Sequence, residues 1–305
     1  MNHLKNPIFQ DENKARQWLE ARIWPEGPFC PHCGEREAVT ALKGKQHRPS
    51  LYQCNSCRQQ FTVTVGTIFE RSKIPLNTWL LATYLLCASK KGMSTRQLSR
   101  MLGVSVKSTW FMMHRIREAM RDNPDLGPLG GENKVVEADE TFVGGKAKNA
   151  KRGKPVPKKE AVVSLIERDG NVRSFHLPAV SRNTLRPILV SQIDRKSFLM
   201  TDEAGYYKAI GCEYAGHGTV NHSIDEYVRG VFWHTNTIEG YFSILKRGIT
   251  GVYQHVSQQH LKRYLGEFDF RYNTREQTDM DRTAQVVQGA WGKRLTYRRT
   301  NVGTN

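Results

Sequence analysis

The chain has 305 residues, 38% of them hydrophobic, with a formal charge of +17 and an isoelectric point near 9.7. That apolar content excludes a wholly disordered protein, and no apolar run approaches the ~20 residues that span a bilayer. The length predicts two or three compact units. The positive excess points to a polyanionic partner, because each Lys or Arg that neutralises a phosphate releases condensed counterions. The opening segment MNHLKNPIFQDENK is too polar for a secretory signal. A cytoplasmic protein with reduced thiols and no membrane partner is therefore expected.

Residues 11–22 have the pattern of a short amphipathic helix, with Asp11 as its cap and Trp18, Leu19 and Ile23 on its apolar side. Pro25, Gly27 and Pro28 end it. Two C-x2-C pairs follow, Cys30-Pro-His-Cys33 and Cys54-Asn-Ser-Cys57, separated by twenty residues. Tetrahedral zinc needs four soft thiolates converging on one point, and each C-x2-C turn presents two. Cys30, Cys33, Cys54 and Cys57 are thus assigned to one structural Zn2+, against a pair of disulfides or a redox motif. His32 and His47 are bystanders, Cys87 belongs to an apolar helix, and no partner for Cys212 is identifiable.

From Leu76 to Met120 the period is helical. Leu76 to Ser89 is apolar, Ser94 with Gln97 resembles a capping box, and Gly103-Val104-Ser105 separates Thr95–Leu102 from Val106–Arg117. That connection matches a helix-turn-helix, whose second helix enters the major groove. Lys107, Ser108, His114 and Arg115 are its predicted DNA-contacting residues, against the blander reading of a three-helix core with a solvated basic face.

A linker-like stretch around residues 123–131 precedes a change of period. Lys134–Val143, Ala161–Glu167 and Val172–Leu177 are predicted strands, the last two joined at Asp169-Gly170. A helix at Asn183–Ile193 (Pro187 in its first turn), a strand at Phe198–Thr201, a helix at Ala204–Ile210 and a strand at Gly218–Asn221 follow. Two longer helices, Thr237–Lys246 and Gln258–Tyr272, complete an α/β layered domain with a mixed sheet. Between the first two strands, Lys146 to Lys159 carries seven basic residues and no acid. Lys151, Arg152 and Lys154 there are candidate phosphate contacts.

Three acids stand out by position. Asp139 lies in an apolar strand, where a buried charge is costly unless it serves a metal. Asp202 ends a strand, where α/β sites gather. Glu239 opens a helix, with Lys246 two turns later on the same face. Three such carboxylates can hold two Mg2+ ions about 3.5–4 Å apart for in-line phosphoryl displacement. Taken singly, Asp139 is equally a strand-end cap and Glu239 with Lys246 a solvated pair. Alternation turns Glu140 and Glu203 the other way, and leaves Glu137 on the Asp139 face as a less favoured ligand.

The motifs FCPHCG (29–34), YQCNSCRQQFTVTVGTIFE (52–70), VEADETFVGGK (136–146), TDEAGYY (201–207), HTNTIEGYFSILKRGITGVYQHVS (234–257) and HLKRYLGEFDFRYN (260–273) carry a resemblance over nearly the whole chain. It resembles the DDE-type insertion-sequence transposases with an N-terminal zinc ribbon, insertion-sequence family fifteen ninety-five. The resemblance implies an RNase H-like catalytic domain that cuts transposon ends and joins them to target DNA. It implies a catalytic triad of Asp139, Asp202 and Glu239 on Mg2+ (Mn2+ as substitute), Lys246 positioning DNA, and Asn236 as a minor candidate for the third ligand. Double-stranded DNA (terminal inverted repeats and target), a homo-oligomer on the paired ends and a nucleoid-associated location follow as expectations. The expected domains are helix and zinc ribbon (1–72), helix-turn-helix (73–122), catalytic domain (130–275) and a basic tail (276–305), whose end WGKRLTYRRTNVGTN is expected to be loosely ordered. The competing functions are a non-enzymatic DNA-binding regulator and an RNase H-like nuclease or junction resolvase that does not rejoin.

Overall fold

The computed structural model describes residues 3–44, 46–121, 127–144, 159–220, 228–229 and 233–296. The chain divides into two compact units, Met1–Arg121 with Glu276–Asn305, and Asp122–Arg275. The basic cluster Lys151, Arg152 and Lys154 lies outside the described residues.

In the first unit, helix α1 (Glu12–Ile23) starts where the Asp11 carboxylate accepts the Lys14 N–H at 2.8 Å. It buries Ala15 and Leu19. Strands β1 (Val39–Leu42), β2 (Leu51–Cys54) and β3 (Gln60–Phe61) form an antiparallel sheet in that order. Trp24 seats this small sheet, meeting Phe29, Tyr52 and Phe61 edge-on at 5.4–6.3 Å. Helices α2 (Leu76–Ala88), α3 (Thr95–Leu102) and α4 (Val106–Met120) follow.

The segment expected only as a basic tail contains a helix. Thr278 caps a helix at Asp279–Gln288, with Asp279 and Asp281 in its first turn favouring the positive end of the helix dipole. Thr283, Val286, Val287 and Ala290 form its buried stripe, and the helix packs against α1, α2 and α4. Beyond it Trp291 meets Phe29 edge-on at 4.8 Å, and the Gly292 N–H reaches the Gly66 carbonyl at 2.9 Å. The i, i+3, i+4, i+7 spacing was there in the sequence; the surrounding basic residues masked it.

The second unit is a five-stranded sheet. Its strands are β4 (Val135–Val143), β5 (Glu160–Glu167), β6 (Val172–Leu177), β7 (Phe198–Asp202) and β8 (Gly216–Val220). The order is β6-β5-β4-β7-β8, antiparallel from β6 to β4 and parallel from β4 to β8. This is the α/β domain with a mixed sheet that the sequence predicted. Asp169, in a left-handed conformation with φ 58°, turns β5 into β6. The last strand begins two residues before the expected Gly218.

Helices α5 (Arg182–Gln192) and α6 (Gly205–Gly211) cover one face, where Val136, Ala138, Val163 and Leu165 meet Leu185, Leu189, Tyr207 and Ile210. Ser181 and Thr184 make a reciprocal capping box that starts α5 at Arg182. Pro187 therefore falls beyond the first turn and removes a helical hydrogen bond. Helices α7 (Asn236–Gly248) and α8 (Gln258–Asn273) cover the other face, burying Ile238, Tyr241, Leu245, Leu265 and Phe268 on Val162, Ile166 and Val172. Strand β5 is thus apolar on both faces, as a strand with helices on each side must be. Two further short strands, β9 (Val228–Arg229) and β10 (Trp233–His234), pair antiparallel just before α7.

Candidate functional site

The two cysteine pairs form matching knuckles. The Gly34 N–H closes the first on the Cys30 carbonyl at 2.9 Å, and the Cys54 N–H bonds the Gln59 carbonyl at 3.0 Å across the second. The residue after each second cysteine, Gly34 or Arg58, has a positive φ (80° and 62°), which turns the backbone around the sulfurs. Cys30 and Cys57 place their Sγ atoms 3.6 Å apart, and Cys33 and Cys54 do the same. None of the six cysteines is in a disulfide, and 3.6 Å is far from the ~2.05 Å of such a bond. Four sulfurs bound tetrahedrally at ~2.3 Å stand about 3.8 Å apart, so the quartet, within 4.8 Å throughout, fits a structural Zn2+. The Cys57 N–H also points at Cys54 Sγ, 3.5 Å away, which favours a thiolate there. Cys87 is buried as expected, and Cys212 is exposed.

The helix-turn-helix segment is built by two serine caps. Ser94 accepts the Gln97 N–H at α3 and Ser105 the Ser108 N–H at α4, each at 3.2 Å. Gly103, at φ 65°, ends α3 in the left-handed conformation. Lys107 and Ser108 are exposed on the first turn of α4. His114 and Arg115 are not, which corrects the expectation that they face DNA: both are buried. Arg115 donates to the Glu70 carbonyl at 2.7 Å, and its guanidinium lies 5.6 and 5.4 Å from the Trp79 and Phe111 rings. The His114 ring lies 4.2 Å from that of Trp110, tilted at 60°. Lys107 and His114 share a helical face, as do Ser108 and Arg115. Only the first turn of that face is open; from Met112 to Arg117 α4 is interior. Sequence reasoning passed over Lys90, Lys91, Arg96 and Arg100, all exposed. The signal was available, since no acid occurs between Glu70 and Glu118.

In the second unit the pairing of β4 with β7 covers only Val135–Glu137 against Phe198–Met200. Both strands continue past that point, to Val143 and Asp202, so the sheet opens into a fork. Asp139 and Asp202 meet there. Glu140 joins them, and ligand atoms of the three lie within 4.8 Å of one another. The expectation that alternation turns Glu140 away fails because, past the last β7 pair, side chains from both faces of β4 reach the gap. The hydroxyls of Tyr206 and Tyr207, on α6, both donate to the Glu140 carboxylate, Tyr207 at 2.8 Å. Glu239, in the first turn of α7, stands outside that close group and accepts from Thr235 Oγ1 at 3.2 Å. Its charge and that of Lys246 still act on Asp139. Asn236 and Lys246 are exposed, Glu203 is exposed, and Glu137 is wholly buried.

Like charges crowded in a half-buried fork resist ionisation. Burial first, then the Asp202 and Glu239 charges, push Asp139 up to about 7, against the Glu140 N–H and Lys246. Burial, with Asp202 and Asp139, pushes Glu140 up to about 7 against the Tyr207 bond. A cation in the fork reverses that balance, and oxygen donors of this kind suit a hard divalent ion.

Residues 128–273 match the ISXO2-like transposase domain, and residues 10–60 match the transposase zinc-ribbon domain. The chain belongs to this family of DDE-type transposases. An uncharacterized protein in transposable element ISH50 of Halobacterium salinarum is 28% identical over 287 residues, covering 86% of this chain and 91% of the relative. The solved Mos1 strand transfer complex aligns at 12% identity over 72% of this chain and 79% of that one, with a TM-score of 0.28. As a member of this family the transposase is a polynucleotidyl transferase. Among its described residues no helix is long and apolar enough to cross a membrane.

Four variants test these sites. Metal analysis of the wild type should give one zinc per chain and Cys54→Ser should lose most of it; full retention would contradict the assignment. Arg115→Ala should lower stability by about 1.5–3 kcal/mol, because it strips a buried charged hydrogen bond, as denaturant titration would show. Lys107→Ala should instead leave stability within about 0.5 kcal/mol. Asp139→Asn should stabilise the metal-free protein. The Asp139 carboxyl titrates higher folded than unfolded, so the penalty it imposes is absent below pH 4 and complete above pH 7. Calorimetry should show the variant's advantage growing to about 2–4 kcal/mol at pH 8, and shrinking when Mg2+ is added.

Proposed function

We propose that this transposase binds the ends of its element and catalyses Mg2+-dependent strand cleavage and strand transfer by in-line phosphoryl transfer. The observation that supports this most is the meeting of Asp139 and Asp202 at the sheet fork, with ionisation of Asp139 resisted until a cation arrives. Asp139, Asp202 and Glu239 would hold divalent ions, with Mn2+ as a substitute. Bound there, such ions lower the pKa of an attacking water or 3′-hydroxyl and stabilise the leaving oxygen.

The chain's own residues do the rest. Asp139 must be ionised to hold a cation, and the burial that opposes this sets the lower pH limit of the reaction. Glu140, held by two tyrosine hydroxyls, adds a further negative charge to the fork. Lys246, on the α7 face of Glu239, is suited to a DNA phosphate near the reacting bond. Lys107 and Ser108 at the start of α4, with Arg96 and Arg100 on α3, form an acid-free surface for the terminal inverted repeats. Lys151, Arg152 and Lys154 are proposed to contact phosphates of end or target DNA. Two ends joined to one target require more than one active site, so assembly as a homo-oligomer on the ends belongs to this reading.

The test uses purified protein, Mg2+ and labelled duplex carrying the element's ends, scored for cut and joined products. Asp139→Ala and Asp202→Ala should each abolish both products while end binding persists, and the double variant should be no worse than either single one. Lys246→Ala should be milder. Glu239→Ala inactive with Asn236→Ala active assigns the third ligand to Glu239; the reverse assigns it to Asn236. Joined products from Asp139→Ala would overturn the mechanism, and cutting without joining by the wild type would favour a nuclease.

A further inference from the structure

Glu137 is two residues before Asp139 on β4, so both side chains leave the strand towards α7. Its carboxylate is wholly buried and takes no part in the carboxylate cluster at the fork. Its partners are specific. Oε1 accepts from Arg168 Nε at 2.7 Å and from Thr237 Oγ1 at 3.0 Å, and Oε2 accepts the Ile238 backbone N–H at 3.0 Å. His234 Nδ1 approaches Oε1 to 3.4 Å. The other arm of Arg168 donates to the His234 carbonyl at 2.7 Å. One ion pair therefore grips the chain on both sides of the junction between β10 and α7.

That junction has no cap of its own. Thr235, at the N-cap position of α7, makes no side-chain capping bond, and its hydroxyl turns to Glu239. An uncapped first turn leaves backbone N–H groups without partners. Glu137 supplies the missing acceptor from the neighbouring strand, and its negative charge suits the positive end of the helix. Ile238 is the residue before Glu239. The path from Asp139 to Glu239 thus runs through two residues of strand, one carboxylate and one peptide unit.

We propose that Glu137, paired with Arg168, is a positioning residue that fixes Glu239 relative to Asp139 and Asp202. This rests on Glu239 acting in the site as proposed above. The role needs a carboxylate: an apolar residue would leave both Arg168 and the α7 N-terminus unsatisfied inside the protein.

The test uses the full chain, with Glu137→Ala, Glu137→Gln and Arg168→Lys, and does not depend on activity alone. Amide hydrogen exchange over residues 236–240 should quicken at least about tenfold in Glu137→Ala, equivalent to ~1.4 kcal/mol of local opening. Amides of β5 should keep their protection. Glu137→Gln, which retains an acceptor for the Ile238 N–H, should fall between wild type and Ala. Mn2+ affinity and cleavage should drop roughly 10–100-fold, with excess Mn2+ restoring cleavage in Glu137→Gln but not in Glu239→Ala. The double variant Glu137→Gln with Glu239→Ala should be no worse than Glu239→Ala alone, because the first residue acts through the second. Unchanged exchange at 236–240 in Glu137→Ala, or additive losses in the double variant, would overturn the proposal. If Glu137→Ala does not fold, Glu137→Gln and Arg168→Lys decide by the same readouts. A wild type without Mn2+ binding or cleavage would sink the functional reading instead, while exchange at 236–240 would still judge the clamp.

Discussion

Three acids within four positions of a central strand is a costly arrangement, because each carboxylate taken from water must recover its solvation from the protein. Strand β4 meets that cost differently at each position. Glu137, the deepest, has a guanidinium, a hydroxyl and a backbone N–H. Glu140 has two tyrosine hydroxyls from the opposite layer. Asp139 has the N–H of its own neighbour at 2.7 Å and the Lys246 charge, against the like charges of Asp202 and Glu239. The carboxylate with the least internal compensation is the one at the fork, where an external cation can reach it. The helices on both faces, the early parting of β4 and β7, and the position of α7 all serve this gradient.

In the first unit the same accounting is done by sulfur. Short strands of two to four residues cannot bury enough surface to hold themselves. The cysteine quartet ties the two knuckles together, and Trp24 and Trp291 close the ribbon's aromatic side. Arg115 shows how fully this unit is packed. A residue type that normally marks a DNA-facing helix is spent on bracing the Glu70 carbonyl.

Much of this was legible in the sequence where chemistry demands a spacing. Two C-x2-C pairs, the serine caps of α3 and α4, and the alternation of apolar residues in β4 to β6 each have one cheap structural solution. The failures share a cause. Helical periodicity places Lys107 and His114 on one face, yet does not say how far along that face the interior begins. Strand alternation places Glu140 opposite Asp139, yet assumes a pairing with β7 that stops three residues too soon. The helix at Asp279–Gln288 was missed because its buried stripe sits in a charged segment and its partners lie some 200 positions earlier in the chain. Local pattern fixes which way a side chain points; long-range packing decides what waits there.

That helix has a consequence for how the protein is made. A ribosome emits α1 to α4 first, then the whole catalytic unit, and only afterwards the segment that fills the gap among α1, α2 and α4. Domains ordinarily fold in the order of synthesis, but here the earliest unit must wait for the latest. Until then the apolar surface of α2 that the late helix covers is open to other nascent chains. A translation product that stops before Asp279 therefore carries α1 to α4 on an unfinished scaffold, and the late helix closes it.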